Sequence, residues 1–257
     1  MTYPLPNAAI DLTGRTALVT GASSGLGWRF AKVLAAAGAR VAITGRRAER
    51  LEMLAGEITA AGGTALPLTL DVTDAGQLLK VVGLAQDGLG VVDILVNNAG
   101  IPDAQRAHKM SVELIDKVLD TNVRAPWILA CEVARRLIEA KQPGRIINIA
   151  SMAAYSYGGG GAALYSTSKA AVVRMTETLA VEWARYHINV NGMAPGAFAS
   201  EMMDGMLERV GDITKAFPRG RIGDPAQMDS TLLYLASPAS EFVSGTVIKI
   251  DDVQGGR

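Results

Sequence analysis

A chain of 257 residues with 49% apolar side chains and a formal net charge of zero can bury one large core, and its 25 basic residues are scattered along it. That excludes the electrostatic footprint of a nucleic-acid or acidic-membrane binder and leaves small molecules as the expected partners. The single cysteine, Cys131, excludes an internal disulfide and a multi-cysteine metal site, and is expected to be a small buried hydrophobe. No stretch reaches the about 18 apolar residues of a membrane span, and the first residues lack a basic-then-apolar signal pattern. A cytoplasmic, single-domain protein over 1–257 is the expectation.

The first β-branched run, 16–21, reads as a strand and feeds directly into Thr20-Gly21-Ala22-Ser23-Ser24-Gly25-Leu26-Gly27, where a helical pattern over 26–37 begins. A glycine loop between a strand and a helix predicts a phosphate cradle. Glycine lets the backbone approach closely, and the free amides and dipole of the helix start favour an anion. A second strand, 39–45, ends in Gly45-Arg46-Arg47. An NAD-type site needs an acid there for the ribose hydroxyls, whereas a 2′-phosphate needs the acid absent and a cation present. Gly45 and Arg46 therefore predict NADP(H), with NAD(H) as the alternative. Ser23 or Ser24 could add a hydroxyl to the phosphate, and Arg47 is a further candidate.

A helix at 48–61, a strand at 64–70 ending before Asp71-Val72, a helix at 75–89 and a strand at 92–97 follow. The last leads into Asn97-Asn98-Ala99-Gly100. One long helix over 112–141 contains Asn122, and the next strand, 145–151, ends on Ser151. After the glycine-rich stretch 157–163 comes a helix over 164–186 with Tyr165 and Lys169 near its start. A strand at 188–195 leads to Pro195-Gly196-Ala197-Phe198 and Ser200, and a helix at 225–237 and a strand at 246–251 complete the chain. The strand runs are apolar throughout, as buried parallel strands are. The alternation predicts an α/β, Rossmann-like, doubly wound parallel sheet of about seven strands with helices on both faces. Ligands of such sheets lie beyond the carboxyl ends of the strands, so 157–163 and 197–223 are assigned to the active-site rim, the second as a substrate lid. Met202, Met203, Met206 and Leu207 recur there at helical spacing, which suits either core filling or an adaptable apolar lid.

Tyr165 and Lys169 are four residues apart, so on a helix they share a face. A neighbouring ammonium favours the phenolate, which predicts that Lys169 lowers the pKa of Tyr165. Neither His108 nor His187 lies near a carboxylate cluster, and no metal site is expected. Trp127 and Trp183, within the two long helices, suit core packing or a subunit contact.

Taken together, the glycine loop spaced Gly-x-x-x-Gly-x-Gly, Asn97 to Gly100, Asn122, Ser151, the Tyr165/Lys169 pair and Pro195-Gly196 resemble the short-chain dehydrogenase/reductase family over residues 12–252. The resemblance implies hydride transfer between a nicotinamide cofactor and a secondary alcohol or ketone. It implies that Tyr165 is the acid or base, Lys169 tunes it and holds the nicotinamide ribose, and Ser151 polarises the substrate oxygen. Asn122 would support a proton relay. Gly21, Gly25, Leu26, Gly27, Asn97, Ala99, Gly100, Asp71 and Val72 would line the cofactor, with Pro195, Gly196, Phe198 and Ser200 at the nicotinamide end. Thirteen residues separate Ser151 from Tyr165 where the family usually has twelve, and Gly158 to Gly161 can absorb the extra one. The resemblance also implies a homotetramer or dimer. A free, fairly apolar ketone or alcohol is the expected substrate. The alternatives are reduction of a 3-oxoacyl carrier protein, for which the basic rim is modest, and a non-catalytic NADP-binding regulator.

Overall fold

The computed structural model describes residues 7–8, 10–103, 105–157, 159 and 161–255. Seven strands form one parallel sheet: β1 (Thr16–Val19), β2 (Arg40–Gly45), β3 (Thr64–Thr69), β4 (Ile94–Asn97), β5 (Gly144–Ile149), β6 (Ile188–Pro195) and β7 (Val247–Ile250), in spatial order β3-β2-β1-β4-β5-β6-β7. The helices are α1 (Gly25–Ala36), α2 (Ala48–Ala60), α3 (Ala75–Leu89), α4 (Val112–Leu119), α5 (Ala125–Ala140), α6 (Ala163–Trp183), α7 (Glu201–Val210) and α8 (Asp229–Ala236).

The continuous apolar runs follow from burial on both faces. Leu18, Leu95, Ile146 and Val190 pack toward α3, α5 and α6, while their neighbours Ala17, Val19, Val96 and Ile147 pack toward α1, α2 and α8. Strand order reverses between β1 and β4, so the loops after these two strands diverge and leave a crevice at their carboxyl ends. The loops at 20–24 and 98–101 border it.

The structure departs from the sequence reading in four places. The segment 112–141 is not one helix: a π-helical turn, Asp120–Arg124, separates α4 from α5 and carries Asn122. Such widened turns recur at functional sites. The rim 197–223 contains a helix of its own, α7. Its base is pinched by a bridge between Phe198 and Gly223, with Ala199 N donating to Gly223 O and Gly223 N to Ala197 O. Met202 and Met206 on α7 are exposed and fill no core. Of the two tryptophans, for which core packing and a subunit contact were both open, Trp183 is buried in the core and Trp127 is 45% exposed on α5. Cys131 is half-buried against the core, and burial pushes its thiol pKa up.

Candidate active site

Two loops meet at the crevice and are welded together. Thr20 Oγ1 accepts from the amides of Asn98 and Ala99, each at 3.0 Å, and Asn98 Nδ2 donates to Thr20 O at 2.9 Å. The close approach requires glycine: a Cβ on Gly21 would stand 2.9 Å from Ala99 Cα, and one on Gly27 would stand 2.3 Å from Gly21 O. Ser24 precedes α1 without capping it through its side chain, so the first-turn amides, those of Gly25, Leu26 and Gly27, are available to an anion. Asn98, which sequence reasoning passed over, is the residue that ties the cradle together. Asn97, by contrast, turns its side chain away from the cradle: Nδ2 donates to Pro126 O at 3.2 Å and Asn148 Oδ1 at 2.9 Å.

At the end of β2, Gly45 is buried and Arg46 is exposed. The Arg46 charge reaches Asp71 at the end of β3. The Asp71 pKa is lowered mainly by hydrogen bonds from Thr73, with Arg46 adding to the effect. Arg46, Asp71 and Val72 thus share one rim of the crevice. Arg47 is committed elsewhere. Its Nε donates to Ser23 Oγ at 3.2 Å, and Nη2 donates to Ser23 O at 3.2 Å and to Glu201 Oε2 at 3.1 Å. Glu201 also hydrogen-bonds Ser24, and its pKa is lowered chiefly by Arg47. The start of α7 is therefore tied to the glycine loop after β1, a link that joins residues 154 positions apart in sequence. Ser200 caps α7 by accepting from Met203 N at 3.2 Å, and its Cβ would be 3.4 Å from a Cβ on Gly25. At the far end of the crevice, Gly196 N donates to Ile250 O at 2.9 Å and Ala197 N to Gln254 Oε1 at 2.6 Å. These bonds anchor the turn that carries Pro195 and buried Phe198.

The hydroxyls of Ser151 and Tyr165 lie close enough for Ser151 to favour the Tyr165 phenolate. Between them lie a 3₁₀ turn, Met152–Ala154, where Ser166 Oγ donates to Ala153 O, and Gly159 and Gly161 with positive φ. Gly158 and Gly160 lie outside the described residues. One helical turn beyond Tyr165, Lys169 is 4% exposed. Its Nζ donates to Ile149 O at 2.8 Å and lies 5.8 Å from the Tyr165 ring centre. A Cβ on Gly100 would be 3.4 Å from Lys169 Nζ and 3.5 Å from Asn122 Oδ1, so these three residues face one point. The Asn122 amide is fully used: Oδ1 accepts from Ile101 N, and Nδ2 donates to Ile101 O and Ser168 Oγ. It acts as a strut between the 98–101 loop and α6.

The electrostatics correct one expectation. The Tyr165 pKa is raised, not lowered. Burial is the main cause, the Ser151 hydroxyl opposes it, and the Asp103 charge adds to it. Burial also pulls the Lys169 ammonium down, to about 8. Desolvation is thus the largest cause of both shifts.

A family model described as short chain dehydrogenase matches residues 15–210. Gluconate 5-dehydrogenase of Gluconobacter oxydans (strain 621H) is 37% identical over 244 residues, covering 94% of each chain. A short-chain type dehydrogenase/reductase from Mycobacterium marinum superposes with a TM-score of 0.93 at 37% identity, covering 97% of this chain and 98% of that one. A protein from Beutenbergia cavernae, described as an NAD(P) dependent gluconate 5-dehydrogenase with bound NADP at low occupancy, has a TM-score of 0.89 and 36% identity. It covers 96% of this chain and 99% of its own. With the sheet order, the glycine cradle and the Ser151/Tyr165/Lys169 cluster in place, the chain belongs to the short-chain dehydrogenase/reductase family of oxidoreductases acting on CH–OH and carbonyl groups.

Proposed function

We propose that the protein interconverts a free ketone and a secondary alcohol using NADP(H). The observation that carries this is the juxtaposition of the Ser151 and Tyr165 hydroxyls beside the buried Lys169. Two hydroxyls converge there on the place where a substrate oxygen would sit. When bound, the cofactor supplies or accepts the hydride. The cradle fits such a group, because its first-turn amides are uncapped and an added Cβ would fill it. Ser151 donates a hydrogen bond that polarises the carbonyl, and Tyr165 delivers the proton as negative charge develops on that oxygen. A phenol whose pKa burial has raised stays protonated at neutral pH, which suits the reductive direction. Lys169, held against Ile149 O, places its ammonium by the tyrosine and the ribose position, and Asn122 fixes the loop opposite. The exposed methionines of α7 suit an apolar lid. A turnover screen of ketones, alcohols and 3-oxoacyl thioesters with each cofactor tests the reading: consumption of NADPH with free ketones supports it, and thioester-restricted turnover overturns the free-ketone assignment.

The preference for NADP(H) rests on Arg46, which is exposed at the end of β2 while Arg47 is held by Ser23 and Glu201. Arg46→Ala is expected to weaken NADPH binding by roughly 10- to 150-fold, the worth of a charge-assisted hydrogen bond of about 1.5 to 3 kcal/mol, and to leave NADH unchanged. Fluorescence titration of both reduced cofactors against both proteins checks this, and equal losses would show Arg46 to be a solvated helix-entry residue. For assembly, Leu119, Val123 and the outward-facing Trp127 line a groove of about 500 Å³ on α4 and α5, which supports pairing of two copies across these helices.

A further inference from the structure

The loop after β4 carries a carboxylate, Asp103, that neither the sequence reading nor the mechanism above uses. It is 3% exposed. Its Oδ2 accepts a 3.0 Å hydrogen bond from Leu164 N, in the first turn of α6, where Ala162 supplies no side-chain cap. Its Oδ1 is buried and accepts nothing. Leu164 immediately precedes Tyr165, and the Asp103 charge acts on the Tyr165 phenol, so the carboxylate stands at the edge of the reacting centre.

The side-chain donors of the first turns of α6 and of Asn122 are engaged elsewhere. Ser166 Oγ donates to Ala153 O, Ser168 Oγ to Tyr165 O, Lys169 Nζ to Ile149 O, and Asn122 Nδ2 to Ile101 O and Ser168 Oγ. A buried carboxylate oxygen without a donor is unfavourable and is tolerated where a ligand brings one. An ionised carboxylate accepts only, so the ligand group must be a donor, and a second negative charge there is repelled. A substrate whose carbonyl oxygen faces Ser151 and Tyr165 would carry such a donor toward Asp103, the neighbour of this centre through Leu164, as a hydroxyl on the adjacent carbon.

We propose that Asp103 is a specificity-determining residue that accepts a hydrogen bond from that hydroxyl, which makes neutral α-hydroxy ketones and the corresponding vicinal diols the favoured substrates. This rests on the carbonyl-reductase reading above and narrows its substrate class.

The test exploits the two oxygens of aspartate. One caps α6 and the other meets the substrate. Asparagine has one oxygen, which the Leu164 amide takes, so Asp103→Asn keeps the cap and removes the substrate acceptor. Hydroxyacetone and 2-butanone are matched in size and differ by a hydroxyl in place of a methyl. Wild type is expected to favour hydroxyacetone in kcat/KM by roughly 10- to 100-fold, the worth of one hydrogen bond to a charged group. Asp103→Asn should erase that ratio while retaining NADPH affinity and Tm; because it also removes a charge that acts on Tyr165, turnover of both ketones can change together, and the ratio between them within each protein is the readout. Asp103→Ala should lower Tm as well, through loss of the cap. A wild-type ratio near one, or a ratio that survives in Asp103→Asn, overturns the proposal. If wild type binds NADPH and reduces neither ketone nor any other in the screen, it is the catalytic reading that fails, and this proposal falls with it.

Discussion

Tyr165→Phe is expected to lose turnover by roughly 10²–10⁴-fold, the usual worth of a positioned acid or base, with NADPH affinity nearly unchanged. The change deletes one oxygen from a ring that occupies the same volume, so packing is preserved and the loss falls on the proton-transfer step. It also deprives the Ser151 hydroxyl of its neighbour, while the Ala153 amide still donates to Ser151 Oγ at 3.1 Å and keeps that side chain in place. Steady-state kinetics in both directions, with cofactor affinity measured separately, check the split. Near-normal turnover would remove Tyr165 from the reaction.

Lys169→Met should weaken cofactor binding, slow catalysis and shift the pH profile together. The methionine fills the buried site but carries no charge, so the phenolate form of Tyr165 loses an attractive neighbour while burial and Asp103 continue to disfavour it. Oxidation of an alcohol requires the phenolate, so its rising limb should move to higher pH; an unmoved limb excludes Lys169 as the tuning group. The same substitution has an opposite effect on stability. In the folded chain the Lys169 pKa is lowered from 10.5 to about 8, so below pH 8 the protein carries a desolvated ammonium at a cost on the order of 3 kcal/mol. Between about pH 8 and 10.5 the unfolded chain holds a proton that the folded chain has released, and wild-type stability rises across that window. Lys169→Met should therefore melt higher than wild type below pH 8, with the advantage fading toward pH 10.5. Thermal melts of the two proteins across that range measure it.

Much of the fold was legible because its signals are local. Strands buried on both faces leave uninterrupted apolar runs, and every one of the seven was located to within a few residues. The tight loop after β1 was equally plain, since a loop that must approach a neighbouring backbone within 3 Å admits only glycine at Gly21. What could not be read depends on tertiary partners. The π turn interrupts a segment whose helical periodicity continues straight through it, so 112–141 looks like one helix. Of α7 only the helical spacing of Met202, Met203, Met206 and Leu207 was legible and not its bounds, because this helix has no face pressed into a core and Met202 and Met206 remain exposed. Trp127 gives no sign in sequence of turning outward while Trp183 turns in. In the candidate site, the residues proposed for the reaction were singled out by type and spacing, but the groups that hold them were not. Asp103 meets Leu164 across 61 positions and Glu201 meets Arg47 across 154, distances at which no spacing rule operates. The direction of the Tyr165 shift was misjudged for the same reason. Helical spacing reveals the neighbouring charge, whereas desolvation depends on everything packed around it.

Direct transfer of hydride between cofactor and substrate carbon is the claim on which the rest depends, and isotope transfer tests it most directly. Wild-type protein is incubated with NADPH carrying deuterium at the transferable position and with a ketone that it turns over, and the alcohol is examined by mass spectrometry. The account predicts one deuterium at the carbinol carbon for each NADPH consumed, with both product and consumption falling together in Tyr165→Phe. Alcohol formed without the label, or NADPH bound tightly while no ketone or alcohol in a broad panel is turned over, would contradict it.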